Sequence, residues 1–351
     1  IFFSKDGAGI GAIAVHPTKK YFAVAEKGNY PNIYVYEYPS LRVKRLLKRG
    51  TERSYSHVNF SANGEKLASV GSAPDYLICI WDWMQEKITL KAKAFSQEVY
   101  SVAFSKYDED ILTTSGMGHI KFWKIAQTFT GLKLKGEIAK FGQVELSDVT
   151  AYYIFPDEKV LSGTEYGKLL LWEGNMIKAV LSIDEETPCH KGAIESIFLE
   201  GDHIITAGED GTIKMWNFNE MNECEGDDHL NYFMKPSGNF QLSSDNGPSK
   251  ILTIERGEKF WLVFDKTGFI WKINIPDLET QEIEKEVVME TNSGKLMDLA
   301  VSNRVNAAVT IGEDGAVRLW DYVKQREMYN RIFKGSGTCL EWVPQNDSNK
   351  G

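Results

Sequence analysis

Cysteine is scarce: four residues in a chain of 351, at positions 79, 189, 224 and 339. They are too few and too far apart for a disulfide framework or a thiolate zinc site, so free thiols are the default reading. The six histidines, at 16, 57, 119, 190, 203 and 229, never fall at a metal-ligand spacing with one another or with cysteine. No apolar run approaches the roughly 18 residues of a membrane span. A sustained helical period is missing as well. Basic charge is in deficit, with 40 Lys and Arg against 49 Asp and Glu and a net charge of −9. That sign argues against nucleic acid or an anionic membrane as the main partner.

What is present is an ordinary globular balance, 42% apolar and 25% charged. Nine Trp, fifteen Tyr and eighteen Phe are enough to fill a large core. Charge is distributed unevenly. Residues 1–140 carry 20 basic and 13 acidic side chains, a balance of +7, and residues 141–351 carry 20 and 36, a balance of −16.

Internal repetition organises the chain. Aromatic residues close short β-type runs at Tyr36, Trp81, Trp123, Trp172, Trp216, Trp271 and Trp320, with steps of 45, 42, 49, 44, 55 and 49 residues. Turns rich in Gly, Asp and Asn precede them, GEDG before both Trp216 and Trp320 among them. Each unit reads as four strands, and a single four-stranded sheet cannot bury both its faces. Packing such sheets face to face around a ring does, so the pattern predicts an all-β, seven-bladed β-propeller of four-stranded antiparallel blades. The expected blades are 10–48, 55–94, 98–139, 148–183, 192–245, 249–290 and 295–334, forming one domain over 1–351. Residues 1–4 and 338–343 read as extra strands, which either close the ring or are cut ends of a longer chain. On that ring the basic excess falls on blades 1–3 and the acidic excess on blades 4–7.

The units resemble the WD-repeat family. Trp81-Asp82 and Trp320-Asp321 are literal signature dipeptides, while Trp123-Lys124, Trp172-Glu173, Trp216-Asn217 and Trp271-Lys272 have drifted. The fifth unit resembles the family's structural tetrad in His190, Thr206, Asp210 and Trp216. The resemblance implies that Asp210 bonds the His190 ring, which in turn meets Thr206 and the indole N–H of Trp216. Physically, a buried indole and a buried imidazole each need a partner.

Catalytic templates fare poorly. Residues 7–12 fit G-x-G-x-x-A, but a β-type run follows where a dinucleotide fold needs a helix. Gly163-x-x-x-Gly167-Lys168 is one residue short of a phosphate loop. Cys189-His190 is a tempting nucleophile and base, yet neighbours on a strand point to opposite faces and His190 already has a tetrad role. Asp210, Asp265 and Asp314 recur once per blade and read as turn-formers. The expectation is no enzyme, no catalytic residue, no metal, no cofactor and no small-molecule substrate.

Three surface features stand out, the first two with partner-binding readings. The stretch Arg42, Lys44, Arg45, Lys48, Arg49 and Arg53 is either a solvated, aggregation-blocking edge strand or a docking strip for an acidic partner. After Trp216 an acidic insertion leads into Tyr232, Phe233 and Met234, read either as a disordered loop or as a partner contact. Residues 279–290 place their acids along the outer strand of the sixth blade.

Longer phrases narrow the resemblance. YEYPSLRV, NFSANGEKLASVGSAPDYLICIWDW, LKAKAFSQEVYSVAFS and VLSGTEYGKLLLWEG, in that order, resemble the amino-terminal propeller region of the cilia- and flagella-associated protein 44 family. That resemblance implies a non-enzymatic axonemal scaffold of the cilium or flagellum, in the cytoplasm and cytoskeleton. Its implied role is in a tether and tether-head complex that anchors inner-arm dynein motor domains to doublet microtubules. The implied partners are a sister WD-repeat tether protein, inner-arm dynein heavy chains and the doublet microtubule. The alternatives are a general WD-repeat interaction hub or a microtubule-associated propeller without a ciliary role.

Overall fold

The computed structural model describes residues 9–244, 247–257, 259–274, 284–294, 296–302, 304–324 and 326–343. The expected strand at 1–4 and the acids at 279–283 lie outside them. Seven sheets, each built on four strands in chain order, follow one another along the chain, spanning 10–47, 55–93, 99–138, 149–182, 194–241, 251–290 and 296–332, and the fourth gains a fifth strand from further along the chain. Within each, consecutive strands lie side by side and run antiparallel. The fold class is a seven-bladed β-propeller. Two compact units make up the chain, one of Ile1–Gly208 with Lys214–Gly238, the other of Glu209–Ile213 with Asn239–Gly351.

The runs are strands because β-branched and aromatic residues alternate with polar ones and Gly or Asp ends each run. Two irregularities repeat. In all seven sheets the first strand skips one residue against the second, for instance between Tyr55 and His57 and between Val149 and Ala151. A second bulge falls beside the signature aromatic where the third strand meets the fourth, as at Ile80/Trp81, Leu171/Trp172 and Leu319/Trp320. Such bulges bend a strand and increase its twist.

Blade 3 lacks the second bulge. Its third strand, His119–Thr128, and fourth strand, Gly131–Ile138, pair without a break from Lys121↔Ile138 to Thr128↔Gly131. Glycine replaces the bulge as the means of seating the aromatic: Gly136 faces Trp123, and a Cβ there would come within 2.5 Å of the indole. The result is a straight hairpin of ten and eight residues, where the other third and fourth strands of blades 1–4 run five to seven.

Apolar cores fill the spaces between successive sheets of the larger unit. Ile33, Val35 and Leu47 pack with Tyr55, Leu67 and Trp81; Val70, Ile78 and Ile80 pack with Val102, Leu112 and Trp123. Between blades 4 and 5 the core takes in Phe155, Leu181, Ile194 and Trp216, together with Met221, Cys224 and Met234 from the acidic insertion. Burial at about 25 cal/mol per Å² of apolar surface makes these seams the main source of stability.

Candidate partner-binding surface

A hydrogen-bonded frame around the signature Trp recurs in blades 2–7. The indole nitrogen of Trp81 donates to Ser69 Oγ at 2.8 Å, Trp123 to Thr114 Oγ1 at 2.9 Å and Trp172 to Ser162 Oγ at 2.8 Å. Trp216 donates to Thr206 Oγ1 at 2.9 Å and Trp320 to Thr310 Oγ1 at 2.8 Å. In blades 2, 3, 4 and 7 the acceptor sits two residues beyond the residue paired with the Trp, as in Leu112↔Trp123 followed by Thr114. Blade 6 has a shorter turn, and Asp265 arrives at that same place. One carboxylate oxygen accepts from Trp271 at 2.8 Å, and the other from the amides of Thr267 and Phe269. Asp265 is thus both turn-former and indole acceptor.

His190 is fully buried, with Nε2 2.7 Å from Thr206 Oγ1, and Asp210 accepts from the amide and hydroxyl of Thr212. Blade 7 holds a second relay that sequence reading missed. Asn292 accepts from Thr310 Oγ1 at 3.0 Å and donates to Asp314 at 3.5 Å, so Asp314, Asn292, Thr310 and Trp320 form a chain. Another recurring contact lies two residues before the Trp. Cys79 Sγ, Lys121 Nζ and Lys214 Nζ reach the carbonyls of Gly50, Ala94 and Cys189, each five residues ahead of its blade's first strand. The Asp of each literal dipeptide caps the next turn: Asp82 accepts from Gln85 N, and Asp321 from Val323 N and Lys324 N.

The chemistry of these groups is that of a framework. Cys189 and His190 precede the strand Ile194–Glu200 and do not lie on it, so the alternation argument does not apply to them. Both are fully buried, and burial pushes the Cys189 thiol up to about 12, which removes the thiolate a nucleophile needs. Burial likewise pushes the Cys79 thiol up to about 12 and the Cys224 thiol up to about 11. Residues 10–15 form a strand, where a dinucleotide fold would require a helix. Gly167 and Lys168 lie between the strands Val160–Thr164 and Leu169–Glu173. Among the described residues no group of three His, Cys, Asp or Glu side chains converges to hold a metal, and no helix is long and apolar enough to cross a membrane.

The basic stretch lies on the last strand of blade 1, Val43–Leu47, and the loop after it. Arg42, Lys44, Lys48, Arg49 and Arg53 are exposed. Arg45 is half-buried, its guanidinium donating to the Met84 and Lys44 carbonyls at 2.7 and 2.8 Å. Arg53 bonds the Asn29 side chain. Fourth strands of the next two blades continue this character with Lys87, Lys91 and Lys93, then Lys133 and Lys135. Beside the blade 3 strands a cleft of about 400 Å³ opens over Ile111, Phe122 and Val160, where Lys124, Lys135 and Lys159 share the lining with Glu137, Asp157, Glu158 and Glu173.

The acidic insertion is folded. Asn217 caps a short helix, Phe218–Glu223, by accepting from Glu220 N, and Met221 is fully buried. Asn231–Phe233 then adds a fifth strand, parallel, to Met176–Ser182 of blade 4, with Val180↔Asn231 and Ser182↔Phe233 as partners. Partner contact through Met234 is therefore corrected: its side chain is 2% exposed and belongs to the core. Tyr232 packs half-buried against that core, whereas Phe233 is 47% exposed.

The family model of the echinoderm microtubule-associated protein first β-propeller matches residues 2–273. Cilia- and flagella-associated protein 44 of Mus musculus is 43% identical over 347 residues, covering 98% of this chain and 19% of that protein. Its namesake from Chlamydomonas reinhardtii is 44% identical over 333 residues, 91% of this chain and 19% of the relative. The chain therefore spans 19% of the length of either relative. Among solved structures, the Cps50 (Swd1) β-propeller domain of Myceliophteria thermophila superposes with a TM-score of 0.64 at 11% identity. That match covers 89% of this chain and 95% of that one, a likeness of fold alone. With more than three quarters of its residues matched by the family model, the chain belongs to the family of the echinoderm microtubule-associated protein first β-propeller.

Proposed function

We propose that this propeller is a non-enzymatic scaffold module of the ciliary and flagellar axoneme. The observation that carries the reading is 43% identity to the mouse cilia- and flagella-associated protein 44 across 98% of the chain. The internal chemistry supports it: the thiols of Cys79, Cys189 and Cys224 are buried and protonated, and the repeat carboxylates are spent on turns and indoles. In the finer reading the module is one propeller within a longer chain, part of a tether and tether-head complex that holds inner-arm dynein motor domains near the doublet microtubule. Its partners there are a sister WD-repeat tether protein and dynein heavy chains. The exposed cations at Arg42, Lys44, Lys48 and Arg49 serve as one docking strip for an acidic neighbour.

Crosslinking mass spectrometry on isolated axonemes carrying the full-length protein tests this reading. Crosslinks from residues 9–343 to dynein heavy chains or a second WD-repeat protein are expected. Crosslinks confined to trafficking or ubiquitin-ligase subunits would replace the scaffold reading with that of a general interaction hub.

A further inference from the structure

Blades 3 and 4 enclose a cleft whose two walls are built differently. The blade 3 wall is flat, because Gly136 seats Trp123 without a bulge and the register rows stay in line across three strands. One row is Ile111, Lys124 and Lys135, and the next carries Phe122 and Glu137. Side chains in register share one face of a sheet, and all five of these line the cleft. The facing wall comes from two turns of blade 4. Glu158 stands before the strand Val160–Thr164, and Glu173 ends the strand Leu169–Glu173.

The cleft holds charge of both signs, and most of it is unspent. Asp157 and Lys159 pair at 2.8 Å and both also bond Asn222, so they neutralise each other. Lys124, Lys135, Glu137, Glu158 and Glu173 are exposed and make no ion pair or side-chain hydrogen bond among the described residues. Two cations against three acids leave this set at −1, so a partner of a single sign would meet repulsion as well as attraction. Lys124 and Lys135 lie directly opposite each other and repel until an anion comes between them. Between the walls the floor is apolar. Ile111 and Phe122 are half-buried, Val160 is 3% exposed, and Phe122 meets Trp172 edge-on with ring centroids 6.1 Å apart. A volume of about 400 Å³ is that of a site for a small ligand or a few side chains.

We propose that this cleft binds an extended segment of a partner protein in which an apolar side chain is flanked by an acid and a base. The apolar side chain covers Ile111, Phe122 and Val160, the acid meets Lys124 and Lys135, and the base meets Glu158 and Glu173. The proposal goes beyond the scaffold reading and does not depend on the axonemal setting, since it names a site and the chemistry of what the site takes. Walls already held by the hairpin and the blade 4 core limit the entropy lost on docking.

The test is methyl NMR of the chain, with Ile111 and Val160 as reporters. The probe is a capped peptide carrying glutamate, leucine and lysine at alternate positions in a glycine–serine background. Saturable shifts at both methyls are expected. Exchanging the peptide lysine for glutamate, or its glutamate for lysine, should each raise Kd severalfold, and exchanging its leucine for glycine should abolish the shifts. In the protein, Lys124→Glu with Lys135→Glu should raise Kd for the original peptide about tenfold and restore affinity for the doubly basic one, at a melting temperature matched to native. Absent shifts, or a doubly acidic or doubly basic peptide that binds the native chain as tightly as the balanced one, would overturn the site. Shifts at Ile111 and Val160 that follow protein concentration without peptide would assign the cleft to a second copy and overturn it equally. Axonemal crosslinks judge the scaffold reading separately, so each can fail alone.

Discussion

Blades 3 and 4 share one frame and treat their fourth strands in opposite ways. Both seat a Trp on a hydroxyl two residues past its register partner, and both pack the same sort of apolar seam. In blade 4 the bulge at Leu171/Trp172 bends the fourth strand, and the acidic insertion returns to cover its edge with Asn231–Phe233. In blade 3 Gly136 makes the bulge unnecessary, the hairpin runs straight, and lysines guard the bare edge. An exposed strand edge is a template for unwanted pairing, and these are two separate remedies, cover and charge. Cover converts the inserted residues into core. Charge leaves an element free to meet something else.

The largest expected effect breaks the cover. Met234→Ala removes a side chain 2% exposed from the core it shares with Met221, Phe155 and Leu181. A loss of about 2–5 kcal/mol is expected from the deleted thioether and the cavity left behind. Equilibrium urea unfolding measures it, and hydrogen exchange at Val180 and Ser182, which meet Asn231 and Phe233 in register, should rise with it. A cost near zero would mean the insertion is decoration on blade 4 and that the comparison is mistaken.

A second pair of variants asks whether the two frames are equal beneath their edges. Thr114→Val in blade 3 and Ser162→Ala in blade 4 each orphan a buried indole N–H. Leaving such a donor unsatisfied costs about 1–3 kcal/mol. Equal losses in thermal unfolding would locate the difference between the blades wholly in their fourth strands. A much smaller loss in blade 3 would show that the Lys121 ammonium, 4.0 Å from the Trp123 ring centroid, holds that indole in place without the hydroxyl.

How far the sequence revealed this follows from which constraints are local. Trp81, Trp123, Trp172, Trp216, Trp271 and Trp320 were legible because a third strand ending in an indole announces itself within its own hairpin. Asn292 was not, since asparagine is common in turns. Its signal was positional: it stands four residues before the strand Leu296–Val301, as His190 stands four before Ile194–Glu200. Met234 was misplaced because the acidic residues preceding it suggested solvent, whereas its burial depends on a return to blade 4 that no local pattern encodes. The absent bulge of blade 3 was in principle readable from a glycine, Gly136, opposite Trp123, once the register is known.

The smallest effect is a pH dependence present in one blade and lacking in the other. His119 of blade 3 is 1% exposed and stacks on Phe95 with ring centroids 3.7 Å apart. Nδ1 lies 3.1 Å from the Met117 carbonyl, while Nε2 is buried without a partner among the described residues. Burial holds the imidazole below its ordinary value near 6.5, Lys121 adds to the same effect, and the Met117 carbonyl and Asp148 oppose it. A base depressed in the folded state contributes stability that is complete above its unfolded value, and this is lost as pH falls below about 6.5. The sheet of blade 4, residues 149–182, contains no histidine. Exchange measured at pH 7.5 and 5.5, corrected for intrinsic rates, should therefore loosen His119–Thr128 more than Leu169–Glu173. His119→Phe keeps the stack on Phe95, removes the titration and should abolish that difference, with the exposed Met117 carbonyl passing to water. If acid loosens both strands equally in the variant and in the native chain, the sensitivity belongs to the fold as a whole, and blade 3 differs from blade 4 only in its edge.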